Sequence, residues 1–176
     1  MFNKLVVATK FSWKTVLALF SWLLILTSSP TYADPALNAG MPDFTLKSIS
    51  GQNMRLSEQR GNVILINFWA TWCGPCRQEL PEFEKLRQKY AKYGFEIWAV
   101  NVDTDSNEAI KFVKSFSLTY PILFDSSLIT SQMYKVETMP STFLLDRDGK
   151  LRFVHHGFQA SYVEKYDAEI HDLVKE

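Results

Sequence analysis

Residues 72–76 read Trp-Cys-Gly-Pro-Cys, and Cys73 and Cys76 are the only cysteines of the 176-residue chain. Two residues between them let the start of a helix bring both sulfurs within bonding reach. The pair can then switch between dithiol and disulfide with little backbone movement. The unit follows Val63-Ile-Leu-Ile-Asn-Phe-Trp69, an apolar run of strand length, and opens a helical stretch. The unbroken apolar character of residues 63–66 predicts a strand covered on both faces. A disulfide closing so short a loop constrains the unfolded chain very little, so a structural staple is the weaker reading and thiol–disulfide chemistry the stronger.

Residues 1–33 read as an address. Lys4, Lys10 and Lys14 give a basic start, residues 16–26 an apolar core of signal-peptide length, and Thr31-Tyr32-Ala33 a small-x-Ala cleavage site. No acidic residue precedes Asp34. The competing reading is an uncleaved membrane anchor, because residues 15–33 carry no charge and are nearly long enough to span. Both readings export the rest of the chain, to a periplasmic or other extracytoplasmic compartment. Residues 34–176 are ample for one domain and too short for two typical ones. Without the three N-terminal lysines, sixteen basic residues face nineteen acidic ones, a formal charge of −3. No long basic run remains, so nucleic acid is excluded as the expected partner, and a membrane is a partner only if residues 1–33 stay attached.

The rest of the chain reads as alternating strands and helices. Phe44-Thr-Leu46 and the turn Ser50-Gly51-Gln52-Asn53 predict a β-hairpin ahead of the first core strand. Residues 56–59 read as a single helical turn. A helix is predicted from Gly74 to Tyr93, with Leu80, Phe83, Leu86, Tyr90 and Tyr93 on one stripe, Gly94 ending it and Pro81 kinking it. Residues 95–102 are the next strand, and Ser106 or Asn107 is placed to cap a helix through Phe116. Residues 120–124 read as extended and residues 127–134 as a short helix. Residues 142–145 and 151–154 flank Asp146-Arg-Asp-Gly-Lys150 as a hairpin. The last helix is predicted over residues 161–174, with Val163, Tyr166, Ile170 and Val174 facing inward. This order implies an α/β fold: a mixed central β-sheet with helices on both faces and an N-terminal hairpin extension.

Asn67-Phe-Trp-Ala-Thr-Trp-Cys-Gly-Pro-Cys-Arg77, followed by Pro81 and later by Met139-Pro140, resembles thioredoxin. The early hairpin, Glu79 and the export signal resemble the TlpA/ResA/DsbE group of extracytoplasmic thioredoxin-like proteins. The resemblance spans residues 40–174 and implies a thioredoxin-like fold. It also implies roles. Cys73, at a helix N-terminus where amides and dipole favour an anion, is the attacking thiolate. Cys76, deeper in, resolves the mixed disulfide. Trp72 forms an apolar rim for the client. Pro140 is the cis-proline facing the dithiol, and the backbone of Met139 pairs with an extended client segment. Thioredoxin keeps a buried acid where this chain has Asn67, which cannot titrate. Glu79, three residues after Cys76, is the replacement acid–base group. A Glu in the first turn, favoured by the helix dipole alone, is the plainer reading.

The resemblance further implies disulfide-containing client proteins, an upstream membrane electron donor of thiol type, and no cofactor or metal. Some members of the group reduce apocytochrome c before haem attachment, but Val136-Glu-Thr-Met139 does not match the segment that marks them. The function expected is thus an exported thiol:disulfide oxidoreductase. The dipeptide Gly74-Pro75 matches thioredoxin and points to a reductant, near about −270 mV, rather than an oxidant near about −120 mV. One alternative is a Cu(I)-binding metallochaperone, in which Cys73 and Cys76 join a His or Met around a soft metal. Another is a peroxidase using Thr71 and Arg77, disfavoured by the lack of a distant resolving thiol. His155 and His156 are adjacent on a strand and point to opposite faces, which suits no zinc site.

Overall fold

The computed structural model describes residues 40–176; the signal-peptide or anchor reading of residues 1–33 lies outside the described residues. Seven strands form one sheet: β1 (Thr45–Ser48), β2 (Asn53–Arg55), β3 (Val63–Trp69), β4 (Phe95–Asn101), β5 (Ile122–Phe124), β6 (Ser141–Leu145) and β7 (Leu151–His156). Their order is β2-β1-β5-β4-β3-β6-β7. β3 is parallel to β4, and β4 to β5, whereas β6 lies antiparallel to β3 and β7 to β6. The early hairpin of β1 and β2 is added at the far edge, with β1 antiparallel to β5. Every residue of β3 is buried, as a strand with neighbours on both edges and cover on both faces must be.

The helices are α1 (Gly74–Tyr90), α2 (Ser106–Lys114), α3 (Ile129–Met133) and α4 (Tyr162–Leu173). Alternation along β3 divides the two layers. Asn67 faces α1, where it meets Glu79, and Trp69 packs on Phe112 of α2 at 5.6 Å between ring centroids. Phe68 faces the other way, onto Tyr134 at the end of α3, at 5.5 Å. Phe44 closes that second layer against Trp98 and Tyr134. The mixed sheet with helices on both faces is therefore the observed architecture.

Three local expectations shift. α1 runs through Pro81 and stops at Tyr90, and the predicted last turn is the 3-10 turn Ala91–Tyr93. Gly94 then reverses the chain at φ 74°, a conformation that glycine adopts without steric penalty. α2 is capped by Asp105 rather than by Ser106 or Asn107: its carboxylate accepts the Asn107 N–H at 2.9 Å. Asp105 holds the extended backbone that a cap needs, and Ser106 is already helical. The buried stripe of α4 is Tyr166, Glu169, Ile170 and Leu173, not the stripe through Val163 and Val174. Hydropathy alone could not place Glu169 inside, because its partner lies on another element.

The register matters most for function. Phe68 pairs with Ser141 and Asn67 with Thr142. The residues just before β6, Met139 and Pro140, therefore lie at the end of β3 from which the chain runs into the dithiol. A parallel strand followed by a helix gathers reactive groups at its C-terminal edge, and this sheet does so.

Candidate active site

Cys73 and Cys76 are joined as a disulfide, with 5.3 Å between their Cα atoms. Cys73 is the N-cap of α1, with extended backbone, and its sulfur accepts the Cys76 N–H at 3.2 Å. A helix start offers unpaired amides and a positive dipole end, so an anion on this sulfur is favoured. Pro75 sits in the first turn, where a missing N–H costs nothing. Cys73 keeps 5 % of its surface and Cys76 none. Trp72 is 71 % exposed, so it is rim rather than core. The loop that carries it is pinned by Asp103, whose carboxylate accepts the Thr71 N–H at 3.0 Å and the Asn101 amide at 2.8 Å.

Glu79 is the sixth residue of α1, one turn beyond Cys76, and has no exposed surface. Side chains three apart on a helix lie roughly 5–6 Å apart at Cβ, so Glu79 and Cys76 share one buried face of α1. The plainer first-turn reading does not fit, because the side chain lies beyond the first turn, buried and hydrogen-bonded inside the protein. Tyr166 Oη donates to Glu79 Oε1 at 2.7 Å and Asn67 Nδ2 to Oε2 at 2.8 Å. Thr142 Oγ1 adds a longer contact at 3.4 Å and itself accepts the second Asn67 amide hydrogen at 2.9 Å. Burial pushes the carboxyl up to about 7, against these hydrogen bonds, which favour the anion. Burial and the nearby Glu79 also push the Tyr166 hydroxyl upward, so it stays a donor.

The Met139–Pro140 peptide is cis. Ser141, next along, donates to the Thr138 carbonyl at 2.8 Å and pairs with His156 Nδ1 at 3.1 Å. The Gly157 N–H donates to the Pro140 carbonyl at 2.8 Å. The segment before β6 is thus tied down on both sides. Among the site residues named from the sequence, Trp72, Cys73, Cys76 and Glu79 come from one turn and one helix. Met139 and Pro140 come from the neighbouring strand start.

The sequence reading missed the partners of Glu79. Tyr166 reads as core, and Thr142 as a strand residue. Asn67 carries a signal of its own: it is the one polar residue in an otherwise apolar run. His155 also has a buried partner that its position on the strand does not reveal. Its Nε2 lies 2.7 Å from Glu169 Oε2 in a buried pair, and its ring meets Tyr166 edge-on at 4.8 Å.

The rivals fare less well. Thr71 is held by Asp103, and the Arg77 guanidinium lies over the Phe112 ring at 5.4 Å. Among the described residues no group of three or more His, Cys, Asp or Glu side chains is arranged to hold a metal ion. His155 and His156 are turned to Glu169 and Ser141, so neither joins the two sulfurs as a third copper ligand. The Cu(I) alternative is not supported by this arrangement.

Residues 37–154 match the AhpC/TSA family. The chain is 39 % identical over 122 residues to thiol-disulfide oxidoreductase ResA of Geobacillus thermodenitrificans, covering 69 % of this chain and 70 % of that protein. It is 40 % identical over 119 residues to thioredoxin-like protein YneN of Bacillus subtilis, covering 66 % and 69 % respectively. A crystal structure from Chlorobium tepidum, assigned to the thiol:disulfide interchange protein DsbE, aligns with TM-score 0.76 at 36 % identity, over 78 % of this chain and 97 % of that one. StoA from Bacillus subtilis aligns with TM-score 0.62 at 27 % identity, over 76 % and 98 %. With the fold thioredoxin-like and the paired cysteines at its helix start, these matches show that the chain belongs to the AhpC/TSA family and is a thiol-disulfide oxidoreductase of the ResA/DsbE type.

Proposed function

We propose that this protein is exported by residues 1–33, as signal peptide or anchor, and reduces disulfides in extracytoplasmic client proteins. The observation that carries the reading is the asymmetry of the couple. One sulfur caps a helix beside an exposed tryptophan, and the other is sealed in the core on the helix face that also carries the buried Glu79.

In the dithiol state the Cys73 thiolate attacks one sulfur of a client disulfide. A Cys73–client bond forms and the other client sulfur leaves as a thiolate. Trp72 and the Met139–Pro140 backbone, carried at the same end of the sheet, dock the client chain in this reading. Cys76 then loses its proton to Glu79 and attacks the Cys73 sulfur. The second client sulfur leaves, and the protein ends as the Cys73–Cys76 disulfide. Two electrons pass to the client. A dithiol donor on the membrane side returns them by the same exchange in reverse. Gly74-Pro75 between the cysteines supports the reducing direction by analogy with thioredoxin.

The test is a trap. Cys76→Ser removes the resolving sulfur, so client proteins remain covalently held on Cys73 and are released by added dithiol. Cys73→Ser captures nothing. Equal capture by both variants, or by neither, would defeat the reading. Reduction of insulin by the wild type and by neither variant checks the same roles without a known client.

A further inference from the structure

The Glu79 site contains one atom with no hydrogen-bond partner. Asn67 Oδ1 is fully buried and unpaired, and among the described residues only Trp69 Nε1 shares that condition. Unpaired buried acceptors are uncommon and costly, so each calls for a reason. The other half of the same amide is used twice: Nδ2 donates to Glu79 Oε2 at 2.8 Å and to Thr142 Oγ1 at 2.9 Å. Every group bonded to Glu79 is a donor, from β3 (Asn67), β6 (Thr142) and α4 (Tyr166). That set suits a carboxylate, which only accepts; for a carboxylic acid with its hydrogen on Oε2, the Asn67 Nδ2 opposite offers no acceptor.

We infer that Asn67 is a reversible partner for Glu79, its amide donating to the carboxylate and, after half a turn about its terminal torsion, accepting from the carboxylic acid. The inference rests on the reading of Glu79 as the group that takes the Cys76 proton. A half turn exchanges Nδ2 and Oδ1 at nearly the same positions and needs no extra volume. Turned, Oδ1 accepts the Glu79 hydroxyl and also the Thr142 hydroxyl, which is freed to donate. One amide atom is unpaired in either orientation, Oδ1 in one and Nδ2 in the other. Tyr166 plays the other part. It donates to Oε1 in both states and keeps the carboxyl in place. Asn67 and Tyr166 are positioning residues, acting on sulfur only through Glu79.

The balance closes within the site. The Cys76 thiol proton moves to Glu79 Oε2 as the Cys76–Cys73 bond forms, and it can stay there, because Glu79 has no exposed surface. When the disulfide is reduced again, the Cys76 sulfur leaves as a thiolate and takes the proton back. The other groups around the site are Tyr120, which feels the Glu79 charge, and the His155–Glu169 pair behind Tyr166.

Nuclear magnetic resonance on the oxidised wild type tests this directly. The Glu79 carboxyl carbon is followed from pH 5 to 9 beside the Asn67 side-chain amide and its proximity to the Thr142 methyl. The expected result is one shared midpoint, with the amide-to-methyl contact present above it and lost below. A titrating Glu79 beside an Asn67 amide that does not move would overturn the inference. Two variants give a second reading. Tyr166→Phe removes a donor that bonds the charged carboxylate more strongly than the neutral acid, and should raise the Glu79 midpoint by about one unit or more. Asn67→Leu removes a partner of both forms and should shift it less; a larger shift than Tyr166→Phe would contradict the exchange. The catalytic premise is judged apart, by the pH dependence of mixed-disulfide resolution in Glu79→Gln. A profile unchanged from wild type would remove Glu79 from the reaction whatever the Asn67 amide does.

Discussion

Glu79 shows how much a single residue's meaning depends on its surroundings. A buried carboxyl lifted to about 7 is held neutral more easily in the folded chain than in the unfolded one. The folded state therefore binds the extra proton between about 4.5 and about 7, and stability falls as pH rises through that window. The gap corresponds to roughly 3 kcal/mol. Urea unfolding of the oxidised protein at pH 5 and pH 8 should show a decline of that order in the wild type. Glu79→Gln, which does not titrate, should lose most of it; an equal decline in both would remove Glu79 as its source. The spacing from Cys76 was legible in the sequence, since it needs only the helical period. The donors were not, because they lie 12, 63 and 87 positions away. No local pattern announces that Tyr166 and Thr142 converge on one oxygen.

At the scale of elements, the strand before the dithiol and the helix after it were readable, because each has one strong period and a clear stop. Ends and faces were less so. The α2 cap passed to Asp105 because capping depends on which residue leaves helical backbone first, and three neighbouring residues could serve. Asp105→Ala should lower unfolding stability by about 1 kcal/mol while leaving insulin reduction unchanged, since the cap lies outside the dithiol site. α4 was rotated because Glu169 pairs with His155 of β7, a contact between elements rather than within one. Arg147 illustrates the same point at the opposite end of the sheet from the cysteines. Its guanidinium donates to the carbonyls of Gly61, Tyr93 and Val174, tying three chain segments together. Arg147→Met should therefore lower unfolding stability by about 1 kcal/mol or more without changing thiol exchange. A loss of exchange in that variant would contradict the separation of the two ends.

For the whole molecule, the fold class followed from element order, and the site from where the sheet ends. The strand order itself was not legible, because inserting the early hairpin beyond β5 is a matter of edge pairing that no single segment encodes. Redox direction also belongs to this scale, since an oxidant is a protein whose reduced form is the more stable. A reductant is the opposite. On the proposed reducing role, the oxidised protein should be more stable to denaturant than the reduced one, by about 2 kcal/mol for so short a loop. The reverse order would make it an oxidant while leaving its chemistry intact. Everything rests on the two sulfurs being unequal, and alkylation of the reduced protein over a pH series, read by peptide mass, measures that. Position 73 should be labelled first and at the lower pH, with position 76 protected until the chain is denatured. Label arriving first at position 76, or at both together, would contradict the account.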